Sequence, residues 1–190
     1  MQIGLIVLNA VFLSNIVTYF GGGIISFQSD KKNLLYFILS TVTTVLGVIL
    51  GAMLIFVVQN YVLSVVKMEF LKTFVIVLIS IIMSLIARAI IKSISRESFY
   101  LYEKSYQFAS QTVVMVAVMF VLDLSQTFLN SLYIVAGYAA GYLLVQILMF
   151  ALYDKLDSKN TFKPARNVPV LLYTLCIIGM ILSAVGLMFN

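Results

Sequence analysis

The sequence has no histidine, a single cysteine (Cys176) and two prolines, and only 10% of its 190 residues are charged. Without histidine, the chain cannot build a His-ligated haem or a His-bearing metal site. One thiol cannot form an internal disulfide. The sequence also lacks a phosphate-binding glycine loop, a catalytic triad and a nucleotide-binding fingerprint. Nothing in it therefore indicates a soluble catalytic domain.

Hydrophobic residues make up 63% of the chain, and they are gathered into six long apolar stretches. This share is well above that of soluble proteins. A transmembrane helix needs about 20 apolar residues, so six such helices would leave only loops. We therefore predict an all-α integral membrane protein with six transmembrane helices, at about residues 3–20, 34–58, 70–91, 107–122, 132–153 and 168–188. No basic segment precedes the first stretch, so we expect a retained span rather than a signal peptide.

The positive charges are concentrated in alternate loops. The first, third and fifth loops carry ten Lys and Arg residues, whereas the second and fourth carry only Lys67 and Lys72. Cytoplasmic loops of membrane proteins are enriched in Lys and Arg. We therefore predict that the odd-numbered loops are cytoplasmic and that both termini lie outside. The net charge of +5 does not indicate nucleic-acid binding, because the cations flank apolar stretches and form no long basic tract.

The two halves of the sequence show the same order of features. Each half has a short or interrupted span, then a span with a GxxxG pair, then a span with two small residues four positions apart. Because three crossings per half insert the second copy upside down, we predict one membrane domain of two inverted three-helix repeats, at about 3–92 and 106–189. The alternative is tight helix packing without a repeat, since GxxxG pairs are common in membrane helices. The predicted helix-packing residues are Gly47, Gly51, Gly137, Gly141, Gly179 and Ser183.

Glycine and polar residues interrupt the first and fourth spans. Gly21, Gly22 and Gly23 stand where the first span should continue, and Gln111 and Thr112 stand near the start of the fourth. Glycines break helices, and free backbone groups at membrane depth are tolerated only where they are buried in protein or line a cavity. We predict that these residues lie on two half-helices near the midplane. The alternative is that the glycines mark the cytoplasmic exit of the first span and that the polar side chains bond neighbouring helices.

Three further residues are notable for their chemistry. Asn15, within the first span, and Asp123, on the outer side of the fourth, are candidates for an ion path. A carboxylate at membrane depth is a functional candidate, although Asp123 is expected near the surface. Cys176 is expected to be a buried small apolar residue.

Three segments carry a resemblance to a known family. The segment from Tyr61 to Thr73 begins with a Tyr-aliphatic-Leu pattern and ends with Glu-aromatic-Leu-basic-Thr. The segment from Ser131 to Leu156 has its glycines and its acidic-basic ending at the expected positions, and the tail from Pro169 to Phe189 is similar. The first segment differs at Val65, where the family usually has proline. In these features the chain resembles, over essentially its whole length, the A-type subunit of Rnf complexes and its E-type counterpart in Nqr.

The resemblance implies a membrane subunit of a sodium- or proton-translocating electron-transport complex in the bacterial cytoplasmic (inner) membrane. The implied partners are a paralogous six-span subunit, flavin-bearing membrane subunits and a cytoplasmic dehydrogenase subunit. Family members typically share a [2Fe-2S] cluster between two such subunits, on cysteines that would fall near Ile24-Ile25 and Thr112–Val114 of this chain. Cys176 lies at neither position. We therefore expect no catalytic residue and no cofactor held by this chain alone, with flavin and iron-sulfur centres in the partner subunits.

A different class of function stays open, namely a six-span small-molecule transporter component such as the vitamin-binding subunits of energy-coupling importers. Those subunits typically dock to their transporter through a pair of small residues on the first span. Here the first span offers only Ala10 and Ser14. We therefore favour the Rnf/Nqr-like subunit, with a structural role, an ion-path role or both.

Overall fold

The computed structural model describes residues 2–12, 15, 17–18, 34–66, 69–94, 112–122, 127–156 and 168–188. All of these residues except Asn15 and Thr127 are helical, and none of them forms a strand. The prediction of an all-helical protein is therefore confirmed for the described part of the chain. The main helices are α1 (Gln2–Phe12), α2 (Leu34–Val58), α3 (Lys72–Ile94), α4 (Thr112–Leu122), α5 (Phe128–Leu156) and α6 (Val168–Met188).

Two helical stretches are long and apolar enough to cross a membrane, namely Ser40–Val66 with 27 residues and Phe128–Leu152 with 25. Both exceed the number of residues that a membrane-spanning helix needs. Three further apolar helical stretches, Lys72–Ala87, Thr112–Leu122 and Leu172–Met188, are shorter. By length and composition, the described part of the chain therefore has membrane-helix character.

Large apolar side chains are exposed along the full length of α2. They recur every three or four residues, so they form one continuous stripe on the helix. Monomeric soluble proteins rarely expose a contiguous apolar surface of this extent. Such a stripe is typical of a helix that packs against lipid. Its members are Ile38, Val42, Leu46, Leu50, Leu54 and Val57.

The described helices pack around α5. This helix contacts α1, α2 and α6, while α2 also contacts α3, and α1 also contacts α6. The helix α4 contributes a fully buried face to the same core, and the ring of its Phe120 lies 5.7 Å from that of Tyr138 on α5. The buried residues of α4 are Val113, Val114, Ala117, Val118 and Val121.

Two aromatic pairs establish the relative direction of α2 and α5. Near the start of α2, Phe37 stacks on Phe150 of α5 with ring centroids 4.6 Å apart. Near the end of α2, Phe56 lies 5.7 Å from Phe128, at the start of α5. The start of each helix thus lies beside the end of the other. The two helices therefore pack antiparallel.

The helical region at the end of α2 is longer than the sequence suggests. A π-helical turn (Gln59–Leu63) and one α-helical turn (Ser64–Val66) extend it, and a 3₁₀ turn (Glu69–Leu71) precedes α3. Most of the loop that we predicted between the second and third spans, residues 59–69, is therefore helical. The segment contains neither glycine nor proline, so nothing in it forces an early helix end.

The glycine pair of α2 packs against α4. A Cβ atom placed on Gly51 would lie 3.0 Å from Cγ1 of Val114 and 3.6 Å from Cγ2 of Val118. One placed on Gly47 would lie 3.4 Å from Cγ2 of Val114. The contact is thus tight at Gly51 and of ordinary van der Waals distance at Gly47, and the atoms of α4 that it meets belong to side chains.

The glycine pair of α5 packs more closely, against α1 and Asn15. A Cβ atom on Gly137 would lie 2.9 Å from Cβ of Ala10 and 3.2 Å from the carbonyl oxygen of Val7. One on Gly141 would lie 2.8 Å from Nδ2 of Asn15 and 3.1 Å from the carbonyl oxygen of Val11. Because the backbone of α1 lies this close, only the absence of a side chain lets the two helices meet here.

We expect alanine to be tolerated less well on α5 than on α2. Gly137→Ala and Gly141→Ala each place a methyl group against α1 backbone, so each should lower the free energy of unfolding by about 1–3 kcal/mol. Gly47→Ala meets only an ordinary contact and should cost less than about 1 kcal/mol. The measurement is reversible unfolding of each variant in the same detergent.

Gly4→Ala is the matched control for these substitutions. No atom lies within 4 Å of a Cβ built at Gly4, which is an exposed position within α1. Because alanine favours helix more than glycine does, this variant should be as stable as the parent or more stable. Equal losses for Gly141→Ala and Gly47→Ala would contradict the closer contact between α5 and α1.

Candidate functional site at the interrupted first helix

The helical segment at the start of the chain is interrupted at Asn15. This residue is not helical, whereas residues 2–12 and 17–18 are. We predicted an interrupted first span with its break at the glycines that follow residue 20, whereas the described residues place a non-helical residue earlier, within 3–20. The glycines that we predicted to make the break, Gly21, Gly22 and Gly23, lie outside the described residues.

The side chain of Asn15 bonds to backbone groups on both sides of the interruption. Its Nδ2 donates a hydrogen bond to the carbonyl oxygen of Val11 at 2.9 Å. Its Oδ1 accepts one from the backbone N–H of Val17 at 3.0 Å. Helix ends leave carbonyl and N–H groups without partners, and Asn15 pairs one group of each kind. Since Asn15 is fully buried, these bonds allow the chain to leave the helix inside an apolar core.

The other predicted site residues are only partly described. Thr112 is half-buried at the first described position of α4. Gln111 and Asp123 lie outside the described residues, so their predicted roles at a half-helix and in an ion path stay predictions. Among the predicted site residues, the structure brings Asn15 against Gly141 of α5.

Gln146 is a buried polar residue that we did not predict as a site residue. It lies within α5 and is only 1% exposed. Its Nε2 has no hydrogen-bond partner among the described residues. The signal available in the sequence was an amide within the apolar run of the fifth span, three residues before Met149. On the same helix, Sδ of Met149 accepts a hydrogen bond from the Thr174 hydroxyl of α6 at 3.6 Å.

The described buried polar side chains are all uncharged. They are hydroxyls and amides, which can bind water or another neutral hydrogen-bonding group but offer no carboxylate for acid–base chemistry. Most of the hydroxyls donate to carbonyls of their own helix, as Thr44 does to Ser40 at 2.8 Å. The set comprises Asn15, Ser40, Thr41, Thr43, Thr44, Ser80, Ser84, Ser131, Gln146 and Thr174.

The pair of small residues on α6 borders an open groove. Gly179 is half-buried, and a Cβ atom there would lie 3.4 Å from Cβ of Thr18, whereas Ser183 is exposed. The groove has a volume of about 480 Å³, and both residues line it together with Cys176. The expectation that Cys176 is buried is wrong, because the thiol is exposed. The face of α6 that packs inward carries Thr174, Ile178 and Leu182 instead.

The described residues contain no group of three or more His, Cys, Asp and Glu side chains that could hold a metal ion. No protein-family model matches the chain, and no curated protein matches it. The resemblance to Rnf and Nqr subunits therefore stays a prediction that rests on the residues quoted for it.

We expect Asn15→Ala to destabilise the protein. The substitution leaves a buried carbonyl and a buried N–H without partners, so the free energy of unfolding should fall by about 2–4 kcal/mol. Asn60→Ala is the matched control, because Asn60 donates an equivalent bond to the carbonyl oxygen of Phe56 at 3.0 Å but is exposed. Water can replace that bond, so its loss should cost less than about 1 kcal/mol. Similar losses in the two variants would contradict a capping role for Asn15.

Proposed function

We propose that this chain is an integral membrane subunit of an Rnf/Nqr-like ion-translocating electron-transport complex. Its six spans form two inverted repeats in the bacterial cytoplasmic membrane, with both termini outside. It acts as a scaffold that holds partner subunits and lines part of the ion path. The flavin and iron-sulfur centres belong to the partner subunits, and this chain supplies no ligand for a cluster of its own.

The observation that carries this proposal is the reciprocal packing of the two glycine pairs. The pair on α2, in the first half of the chain, receives α4 of the second half, and the pair on α5, in the second half, receives α1 of the first half. Equivalent helices in two related repeats are expected to make equivalent contacts across their common axis. The short helix of each half packs on the glycine pair of the other half. This packing supports two interlocked repeats, in agreement with the sequence pattern.

The direction of α2 and α5 supports the inversion of the repeats. These helices occupy the same place in the two proposed repeats, and they pack antiparallel through the Phe37–Phe150 and Phe56–Phe128 pairs. Three crossings per repeat require equivalent helices to cross the membrane in opposite directions. A pair of parallel repeats, with an even number of crossings each, would instead place them parallel.

The composition of the fourth span supports a subunit without its own cluster. The positions near which the family resemblance would put the second cysteine hold Thr112, Val113 and Val114. Val113 and Val114 are buried, and Val114 packs against Gly47 and Gly51. Apolar side chains that pack against a neighbouring helix cannot replace thiolate ligands of an iron-sulfur centre.

The test is the composition of the complex that contains this chain. An affinity-tagged full-length chain is extracted from its native membranes in mild detergent, and the co-purifying chains are identified by mass spectrometry. We expect a paralogous six-span subunit, flavin-bearing membrane subunits and a dehydrogenase subunit. A pair of ATPase subunits instead would contradict the proposal and favour the small-molecule importer.

Iron analysis of the isolated chain tests the cluster separately. After dissociation from its partners, the chain should contain no stoichiometric iron and no visible absorption from an iron-sulfur centre. A Cys176→Ala variant is the control, since it removes the remaining thiol and should behave like the parent. Stoichiometric iron in the isolated parent chain would exclude a subunit that lacks cluster ligands.

A further inference from the structure

Gln146 is a fully buried residue with an unpaired side-chain nitrogen; the other buried side-chain atom without a partner among the described residues is Oε1 of the half-buried Gln59. The amide nitrogen Nε2 of Gln146 is buried without a partner among the described residues, although the residue is only 1% exposed. An amide nitrogen carries two hydrogens to donate. A buried donor without a partner costs stability, so native proteins rarely keep one without a bound water, an ion or a function.

The antiparallel packing of α2 and α5 places Gln146 at the level of Thr41. The reference is the stacked pair of Phe37 and Phe150. Thr41 lies four residues after Phe37, and Gln146 lies four residues before Phe150. Because the helices run in opposite directions, Thr41 and Gln146 both lie one helical turn from this stack, in the same direction along the helix pair. Each residue also lies on the same face of its helix as the phenylalanine four positions away.

Thr41 supplies an acceptor at this level. Its hydroxyl donates to the carbonyl oxygen of Phe37 at 2.8 Å, and the hydroxyl oxygen can still accept a hydrogen bond. Thr41 is only 6% exposed, and Thr44, on the next turn of the same face, is 2% exposed. The seam between α2 and α5 is therefore polar at the level of Gln146 and shielded from bulk solvent.

We propose that an ordered water molecule occupies this seam and bridges Nε2 of Gln146 to the hydroxyl oxygen of Thr41. The amide donor selects a ligand that accepts hydrogen bonds, and water is the ligand of this kind that buried polar groups ordinarily hold. A water with two or more polar partners is stably held inside proteins. This inference does not depend on the proposed function, because it rests on the packing of α2 against α5 alone.

Water-edited solid-state NMR of the full-length, nitrogen-15-labelled chain in lipid bilayers tests the proposal. The side-chain amide signal of Gln146 is assigned by its loss in Gln146→Met. Its protons should receive polarisation from water about threefold or more faster than those of the Asn15 amide. Asn15 is the internal control because it is equally buried but donates to a protein carbonyl. Transfer to Gln146 as slow as to Asn15 would mean a dry seam and overturn the proposal.

Two matched valine substitutions test the partner of the water. Thr41→Val keeps the shape of the side chain but removes the acceptor, so water transfer to the Gln146 amide should fall several-fold. Thr43→Val is the control, because two residues along a helix turn the side chain far from the face of Thr41. Unchanged transfer in Thr41→Val, or an equal fall in Thr43→Val, would overturn the bridge to Thr41.

Discussion

The close approach of α1 to α5 is the contact on which the described architecture depends. At Gly137 and Gly141, the backbone of α1 lies where side chains would otherwise stand. This approach brings Asn15 against Gly141, and Asn15 is fully buried there. In lipid, helices associate through such close packing because apolar surface gains little by leaving one apolar medium for another. A short helix such as α1 has few residues with which to make contacts, so it depends on a partner helix whose glycines allow close backbone packing.

Burial then determines which hydrogen bonds the polar side chains make. The hydroxyls of Ser80 and Ser84 donate to carbonyls of α3 itself, and those of α2 do the same within their own helix. Asn15 makes two such bonds, one to a carbonyl oxygen and one to an N–H group, and these replace backbone hydrogen bonds that an interrupted helix loses. In the described part of the chain, Nε2 of Gln146 and Oε1 of Gln59 depart from this pattern, because neither atom has a hydrogen-bond partner. Of these two residues, Gln146 is the fully buried one, within α5.

The amino-acid sequence was a good guide to the helices and a poorer one to their ends. The bounds of α2 and α6 agree with the predicted spans, because each is an uncharged apolar run long enough to form a membrane-spanning helix. The interruption at Asn15 was not predicted, since one amide in an apolar run does not by itself break a helix. The helical turns from Gln59 to Val66 were also missed, because the polar pair Gln59-Asn60 suggested that the apolar span ends at Val58.

At the candidate site, the residue pattern within a single helix does not predict which residues of other helices it contacts. The sequence alone determined an all-helical chain with membrane-helix character, because apolar content, scarce charge and helix-compatible residues act on each stretch independently. Only the tertiary structure decided that Gly141 meets Asn15, that Gly51 meets Val114, and that Gln146 faces the level of Thr41. Each of these depends on the distance and direction between helices far apart in the chain. Side-chain spacing within one helix carries no information about the helix that lies opposite.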